Sequence, residues 1–385
     1  MSKTQVAIIY ETVFPEFKGG VERWFQELSE GLASSSFEVL YLNTNGVTET
    51  RGDVSYVDIG GSKNSFHLTG QRSIIGTLSY SLSLFKYLLR NDFDFIYMSS
   101  FPFLHIWIAR TVRLFRKKKY QIIAEWFEIP SLRFWTAEFG LSSGWLGYAI
   151  QEITVRLPDV NISYLASTKL QLAKKMSSKK TLLKLPGICP DLPLLIPIEE
   201  DFKSENLCQI GRLIPDKNPL LSLDVVSELM SIGWKGNFTF IGSGPLEERI
   251  KEEISKRDLS DSVFLIKNAS DDVKNLTLRN SAALFHPSKR EGYGLAIIEA
   301  AAFGVPAILI RSEDNKSTEL GINPSLVAEN EDVSELATLV MKVLNDRSTL
   351  SNESRQWIEE IRPKITSSES ISEISTFMQE NTKGV

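Results

Sequence analysis

With 385 residues, 42% of them apolar and 24% charged, the chain has the composition of a soluble globular protein and the length for two domains. Its net charge of −5 argues against a nucleic-acid binder. Cys189 and Cys208 lack metal spacing and form no disulfide framework, and His67, His105 and His286 are scattered, so neither a structural metal nor a protein-built zinc site is expected.

The chain enters an apolar run at residues 5–9 with no signal-peptide pattern before it, and no run is long enough to span a bilayer, so a cytoplasmic location is expected. A loop with Gly19 and Gly20 follows. It reads either as a close approach to a ligand's phosphate or sugar, or as plain turn geometry. Val21, Trp24, Phe25, Leu28 and Leu32 then mark one helix face. Further strands are expected at 37–42, 93–98, 121–124, 160–163 and 181–185, with a helical pattern from Ile74 to Leu89. Residues 101–119 mix Phe101, Phe103, Trp107 and Phe115 with Arg110, Arg113, Arg116 and three lysines. They read either as an interfacial helix for an anionic membrane surface or as a surface helix with a solvated cationic end. After the strand at 121–124 stand Glu125, Trp126 and Glu128, then Phe134, Trp135, Phe139 and Trp145. That aromatic cluster suits a sugar or lipid acceptor, or is core.

A proline-rich acidic connector, from Pro186 to Asp201, separates two series and places the domains at 1–195 and 203–362. Strands are expected at 207–210, 238–241, 263–266, 282–285 and 307–310, and helices at 220–231, 246–256 and 294–303, with two more between 333 and 361. Alternating strands and helices imply parallel sheets with right-handed crossovers. The fold class is therefore α/β, with two Rossmann-like doubly wound sheets whose ligands lie in a central cleft beyond the strand carboxyl ends.

The most informative segment runs from His286 to Ala300. An apolar strand ends, a glycine turn follows, and the next helix carries a carboxylate. Glu291 precedes that helix and Glu299 lies inside it, eight residues later. Eight residues rise roughly 12 Å, about the span from the sugar of a sugar nucleotide across its pyrophosphate to the ribose. The glycines let backbone N–H groups approach an anion at the helix start. Upstream, Arg212 and Lys217 flank a proline turn. They read as a grip for two phosphates or as solvated loop cations. The turn from Gly242 to Pro245 borders a nucleotide or simply joins strand to helix.

Arg212 and Lys217 in this spacing, the Gly242-Ser243-Gly244-Pro245 turn, and Pro287-Ser288 through Glu299 with Gly304-Val305-Pro306 resemble family 4 glycosyltransferases of the GT-B fold. Glu291 and Glu299 look like that family's E-x7-E signature, and Gly19-Gly20-Val21 like its amino-terminal glycine loop. At Leu185-Pro186-Gly187-Ile188, proline replaces the asparagine that members often carry. The resemblance implies retaining transfer of a sugar from a nucleotide diphosphate sugar, with no metal and no cofactor. It implies that Arg212 and Lys217 neutralise the leaving diphosphate, that Glu291 touches the transferred sugar, and that Glu299 accepts from the ribose. Ser288 and backbone N–H groups at Gly292, Tyr293, Gly294 and Leu295 would complete the donor site with Gly19, Gly20 and Gly242. Many members carry a histidine near the reacting sugar. Here Glu125, Trp126 and Glu128 are the acceptor-side candidates. A terminal helix over 365–385 would pack back on the first domain. The acceptor expected is a lipid-linked glycan or polyprenyl phosphate at the inner membrane face. The rival readings are a GT-B nucleotide-sugar epimerase and a catalytically silent sugar-nucleotide-binding scaffold.

Overall fold

The computed structural model describes residues 3–61, 74–190 and 204–382. They fall into two compact units: the first runs to Pro190 and resumes at Lys364, and the second ends at Pro363. The expected boundary at 195–203 lies outside the described residues, as does His67.

The first unit runs β1 (Gln5–Ile9), α1 (Gly20–Ser34), β2 (Glu38–Asn43), β3 (Glu49–Arg51), β4 (Val54–Asp58), α2 (Ile74–Arg90), β5 (Phe95–Ser99), α3 (Leu104–Phe115), β6 (Gln121–Trp126), α4 (Leu132–Phe139), α5 (Leu141–Thr154), β7 (Val160–Ser163), α6 (Ala166–Lys175) and β8 (Thr181–Lys184). Its sheet has the order β3-β4-β2-β1-β5-β6-β7-β8, parallel except for the β3–β4 pair. The register sets Val6 beside Val39 on one side and Phe95 on the other. These central strands are buried on both faces, which is why β1 and β5 read as unbroken apolar runs. Ala7, Ile9, Ile96, Met98, Ile122 and Ala124 pack under α2 and α3.

The second unit runs β9 (Leu207–Ile210), α7 (Pro219–Ser231), β10 (Phe238–Ile241), α8 (Glu247–Lys256), β11 (Val263–Ile266), α9 (Asp271–Arg279), β12 (Ala283–His286), α10 (Leu295–Ala302), β13 (Ala307–Ile310), β14 (Val327–Ala328), α11 (Val333–Asn345) and α12 (Arg347–Ile361). Its sheet is all parallel, in the order β11-β10-β9-β12-β13-β14. The order reverses between β9 and β12. Loops after those two strands diverge there, leaving the kind of crevice in which open α/β sheets take ligands. The core is continuous from Leu207 and Phe240 through Phe285 and Ile308 to Leu336 and Val340.

The last helix, α13 (Ser367–Asn381), belongs to the first unit. Cys189 N–H donates to Ile365 O at 3.0 Å, and Ser367 N–H to Cys189 O at 2.8 Å. Gly187 N–H donates to Ser370 Oγ at 3.1 Å. Both parallel sheets with their covering helices are as the alternation of the sequence implies.

Candidate active site

The site in the second unit is assembled from three loops at strand carboxyl ends. After β9 the chain turns through Gly211 to Leu213 and makes one 3-10 turn, Pro215–Lys217. Asn218 is left-handed (φ 50°), and Pro219 opens α7. Gln209 pins this loop, donating from Nε2 to Lys217 O at 2.7 Å while its Oε1 accepts from Ser222 Oγ at 2.6 Å. The loop after β10 lies against it. A Cβ on Gly242 would sit 1.9 Å from Gly211 O, so only glycine permits this approach.

The third loop follows β12. Asn315 is buried and donates from Nδ2 to both Ser288 O (3.0 Å) and Ile310 O (2.9 Å). Glu291 N–H donates to Asp314 O at 3.1 Å, and Lys289 N–H to Asp216 O at 2.8 Å, which ties this loop to the first. Glu291 is thereby held against Lys217, whose Nζ contacts its Oε2. His286 Nε2 lies 3.1 Å from the same oxygen, and Ser288 Oγ lies 3.1 Å from that Nε2. Burial would raise the Glu291 pKa, but the Lys217 charge and the His286 hydrogen bond outweigh it and hold the carboxyl well below its ordinary range. Burial drives the His286 pKa down against the pull of Glu291. At neutral pH the imidazole is therefore uncharged and orients the carboxylate without adding a second cation.

Gly294 is left-handed (φ 87°) and begins α10, whose first turn carries no side-chain cap. Its leading N–H groups are thus available to an anion. Tyr293 and Ser288 are buried and support the turn, with Gly292 and Leu295 half-buried beside them. Arg212 is exposed, and among the described residues no ion pair or hydrogen bond engages its guanidinium. Glu299, within α10, is paired with Lys274 of α9 at 2.6 Å and keeps 15% of its side chain exposed. It is not turned into the apolar interior.

Residues 197–364 match the model of the family described as glycosyl transferases group 1. The second unit is therefore similar to members of that family. A capsular polysaccharide biosynthesis glycosyltransferase of Staphylococcus aureus is 27% identical over 177 residues, covering 45% of this chain and 46% of the relative. The chain spans less than half the length of the curated relatives it matches. Among solved structures, a sucrose-phosphate synthase from Thermosynechococcus elongatus superposes with a TM-score of 0.80 at 15% identity, over 100% of both chains. A glycosyltransferase of lipopolysaccharide biosynthesis superposes with a TM-score of 0.72 at 15% identity, over 97% of this chain and 99% of its own. The fold is GT-B.

In the first unit, Gly19 caps α1 and Gly20 is its exposed first residue. The Glu22 carboxylate folds back over them, its Oε1 accepting from Thr12 Oγ1 at 3.0 Å. Glu128 is half-buried. Glu125 and Trp126 are fully buried, which corrects the expectation of an acceptor face at these two positions. Alternation along β6 is lost because both faces of this central strand are covered. Trp126 Nε1 donates to Asn161 Oδ1 at 2.7 Å. Glu125 Oε2 accepts from Trp24 Nε1 (2.9 Å), Tyr97 Oη and Tyr164 Oη (3.2 Å), and burial still pushes its pKa up to about 7 against those hydrogen bonds. The cations of 101–119 are largely engaged within the unit. Arg113 pairs with Asp159, Arg116 with Asp92 and Lys118 with Asp94.

Sequence reasoning missed three residues. His286 stands inside the motif, but as one of three scattered histidines it carries no metal or catalytic spacing that marks it. Asn315 sits 24 residues beyond Glu291, past another strand. Lys274 lies on α9, a short helix with little apolar periodicity and three acidic or basic residues in its first four.

Proposed function

We propose that this chain transfers a sugar from a nucleotide diphosphate sugar to an acceptor with retention of anomeric configuration. What carries the reading is the Lys217–Glu291 pair beside the uncapped start of α10, with Arg212 exposed one loop away. A donor's diphosphate laid on the first turn of α10 draws Lys217 and Arg212 onto its oxygens. Glu291, already ionised and steadied by His286, is then released to accept from hydroxyls of the transferred sugar, and Glu299 accepts from the ribose. As the bond from the anomeric carbon to the diphosphate breaks, positive charge grows on the sugar and negative charge on the leaving group. Fixed cations and N–H donors stabilise that separation, each contributing about 2–4 kcal/mol.

The acceptor we propose is a lipid-linked glycan or polyprenyl phosphate at the cytoplasmic face of a membrane. The Staphylococcus aureus relative, named for capsular polysaccharide biosynthesis, and the lipopolysaccharide neighbour support a glycan acceptor of this kind. The experiment is a thermal-shift panel of UDP, GDP and ADP with their sugars, followed by mass spectrometry of transfer products. A ligand that binds the native state raises its melting temperature. No shift with any donor would end the reading.

A further inference from the structure

Helix α5 is built inside out. The residues it buries are Gly144, Gln151 and Thr154. Those it exposes include Leu141 (72%), Trp145 (54%), Leu146 (64%), Ile150 and Ile153, and Phe139 at the end of α4 joins them. A surface helix in water shows the reverse arrangement. The buried face fixes this orientation. A Cβ on Gly144 would lie 2.5 Å from Trp135 O, and one on Gly147 would lie 2.5 Å from the Trp135 ring, so α5 meets α4 backbone to backbone at the first glycine and backbone to ring at the second. Gln151 donates to Pro130 O at 3.0 Å and accepts from Trp135 Nε1 at 3.0 Å, while Thr154 Oγ1 accepts from Trp107 Nε1 at 2.9 Å. Turning the helix to bury its leucines and isoleucines would break each of these bonds.

We propose that the outer face of α5, with the end of α4, docks on the surface of an anionic lipid bilayer. From Leu141 to Ile153 the face is roughly 18 Å long, enough to lie in an interface plane but not to cross it. No described helix is long and apolar enough to cross a membrane. A tryptophan among aliphatic side chains suits the headgroup boundary. The only charge in α5, Glu152, is paired with Lys175 of α6, and α6 adds exposed Leu170 between exposed Lys169 and Lys174. Exposed Arg133 and Arg156 stand against the single exposed carboxylate Glu138 at the end of α4, so the charge around the apolar face is net positive, as anionic headgroups require. The docking does not depend on sugar transfer.

The test is flotation of the full chain with phosphatidylcholine vesicles, with and without phosphatidylglycerol. The wild type is expected to float with the anionic vesicles. Combined Leu141→Ser, Leu146→Ser and Ile150→Ser replacement is expected to lower the bound fraction tenfold or more, with an unchanged melting temperature and unchanged donor-induced thermal shift. Trp145→Phe keeps the apolar face and should float as wild type, but should lose quenching by brominated lipid. Failure of the wild type to float, equal flotation of the triple variant, or unchanged quenching in Trp145→Phe would overturn the proposal. So would a dimer in sedimentation velocity that the same triple replacement dissolves, since the face would then belong to a second copy of the chain.

Discussion

Replacing Lys217 by methionine keeps the length of the side chain and removes one charge, and it separates two effects that the Lys217–Glu291 pair combines. In the transfer reaction the missing cation costs about 2–4 kcal/mol of barrier, a loss of roughly 30- to 1000-fold in kcat. For the fold, removing one partner of a buried pair costs about 3–5 kcal/mol. Here the side chains keep 16% and 17% exposure and His286 still hydrogen-bonds the carboxylate, which reduces the cost to about 2 kcal/mol at pH 7. The pH dependence carries the sign. In the wild type the Glu291 pKa lies well below its unfolded value, so its stabilisation is complete above the ordinary carboxylate range and is lost only as pH falls through the depressed value. Without Lys217 the burial contribution dominates and the pKa climbs. The variant therefore protonates Glu291 first on acidification, and the stability gap between the two proteins narrows as pH falls. Urea unfolding of both proteins at pH 7 and pH 4, beside transfer rates followed by mass spectrometry, measures this. A gap that is the same at both pH values, or a Lys217→Met enzyme within threefold of wild-type kcat, would refute the coupling of these two side chains.

Glu125→Gln tests the buried carboxyl of the first unit. Its folded pKa of about 7 stands above the unfolded value of 4.5, so the unfolded chain ionises first and wild-type stability falls as pH rises between those values, by about 3 kcal/mol in total. Denaturant titrations from pH 5 to 8 should show that decline in the wild type and a flatter profile in the glutamine variant, and parallel profiles would show that Glu125 is not the titrating group. Gly242→Ala should cost at least about 2 kcal/mol, because its Cβ would meet Gly211 O at 1.9 Å and its φ is 151°; a urea midpoint unchanged from wild type would contradict that packing. Glu299→Ala should weaken nucleotide diphosphate binding about tenfold, the worth of a hydrogen bond to a charged acceptor, while Lys274→Met should change it less than threefold. Equal losses in calorimetry would assign the Lys274–Glu299 pair to the fold alone.

What the sequence made legible follows from how each feature is encoded. Strands such as β1 and β13 are nearly continuous apolar runs because both faces are covered, and they read directly. Segments whose pattern is set by partners did not. β3 is a three-residue strand, Glu-Thr-Arg, recruited by antiparallel pairing with β4, and β14 is two residues long. Within the site, Glu291, Lys217 and Gly294 were visible because loop chemistry is local: a positive φ needs glycine, and an anion needs cations and free N–H groups. Their mutual arrangement was not visible, since Lys217 meets Glu291 across 74 residues and Asn315 fixes Ser288 across 27.

The aromatic segment after β6 shows the limit most clearly, because composition alone could not separate its two halves. Trp126 and Trp135 are core, hydrogen-bonded to Asn161 and Gln151, whereas Phe139 and Trp145 face outward. The division is made by Gly144 and Gly147, which let α5 press its polar side onto Trp135. A pair of small residues, uninformative by themselves, thus decides that the apolar side of the helix looks away from the protein. Enlarging either glycine would force α5 to shift on α4. Gly147→Leu should therefore lower the melting temperature and change the environment of Trp135 without altering the donor loops of the second unit. A thermal-shift response to nucleotide diphosphate that disappears in this variant, while its second unit remains folded by hydrogen exchange, would show that the hairpin and the donor site are not independent.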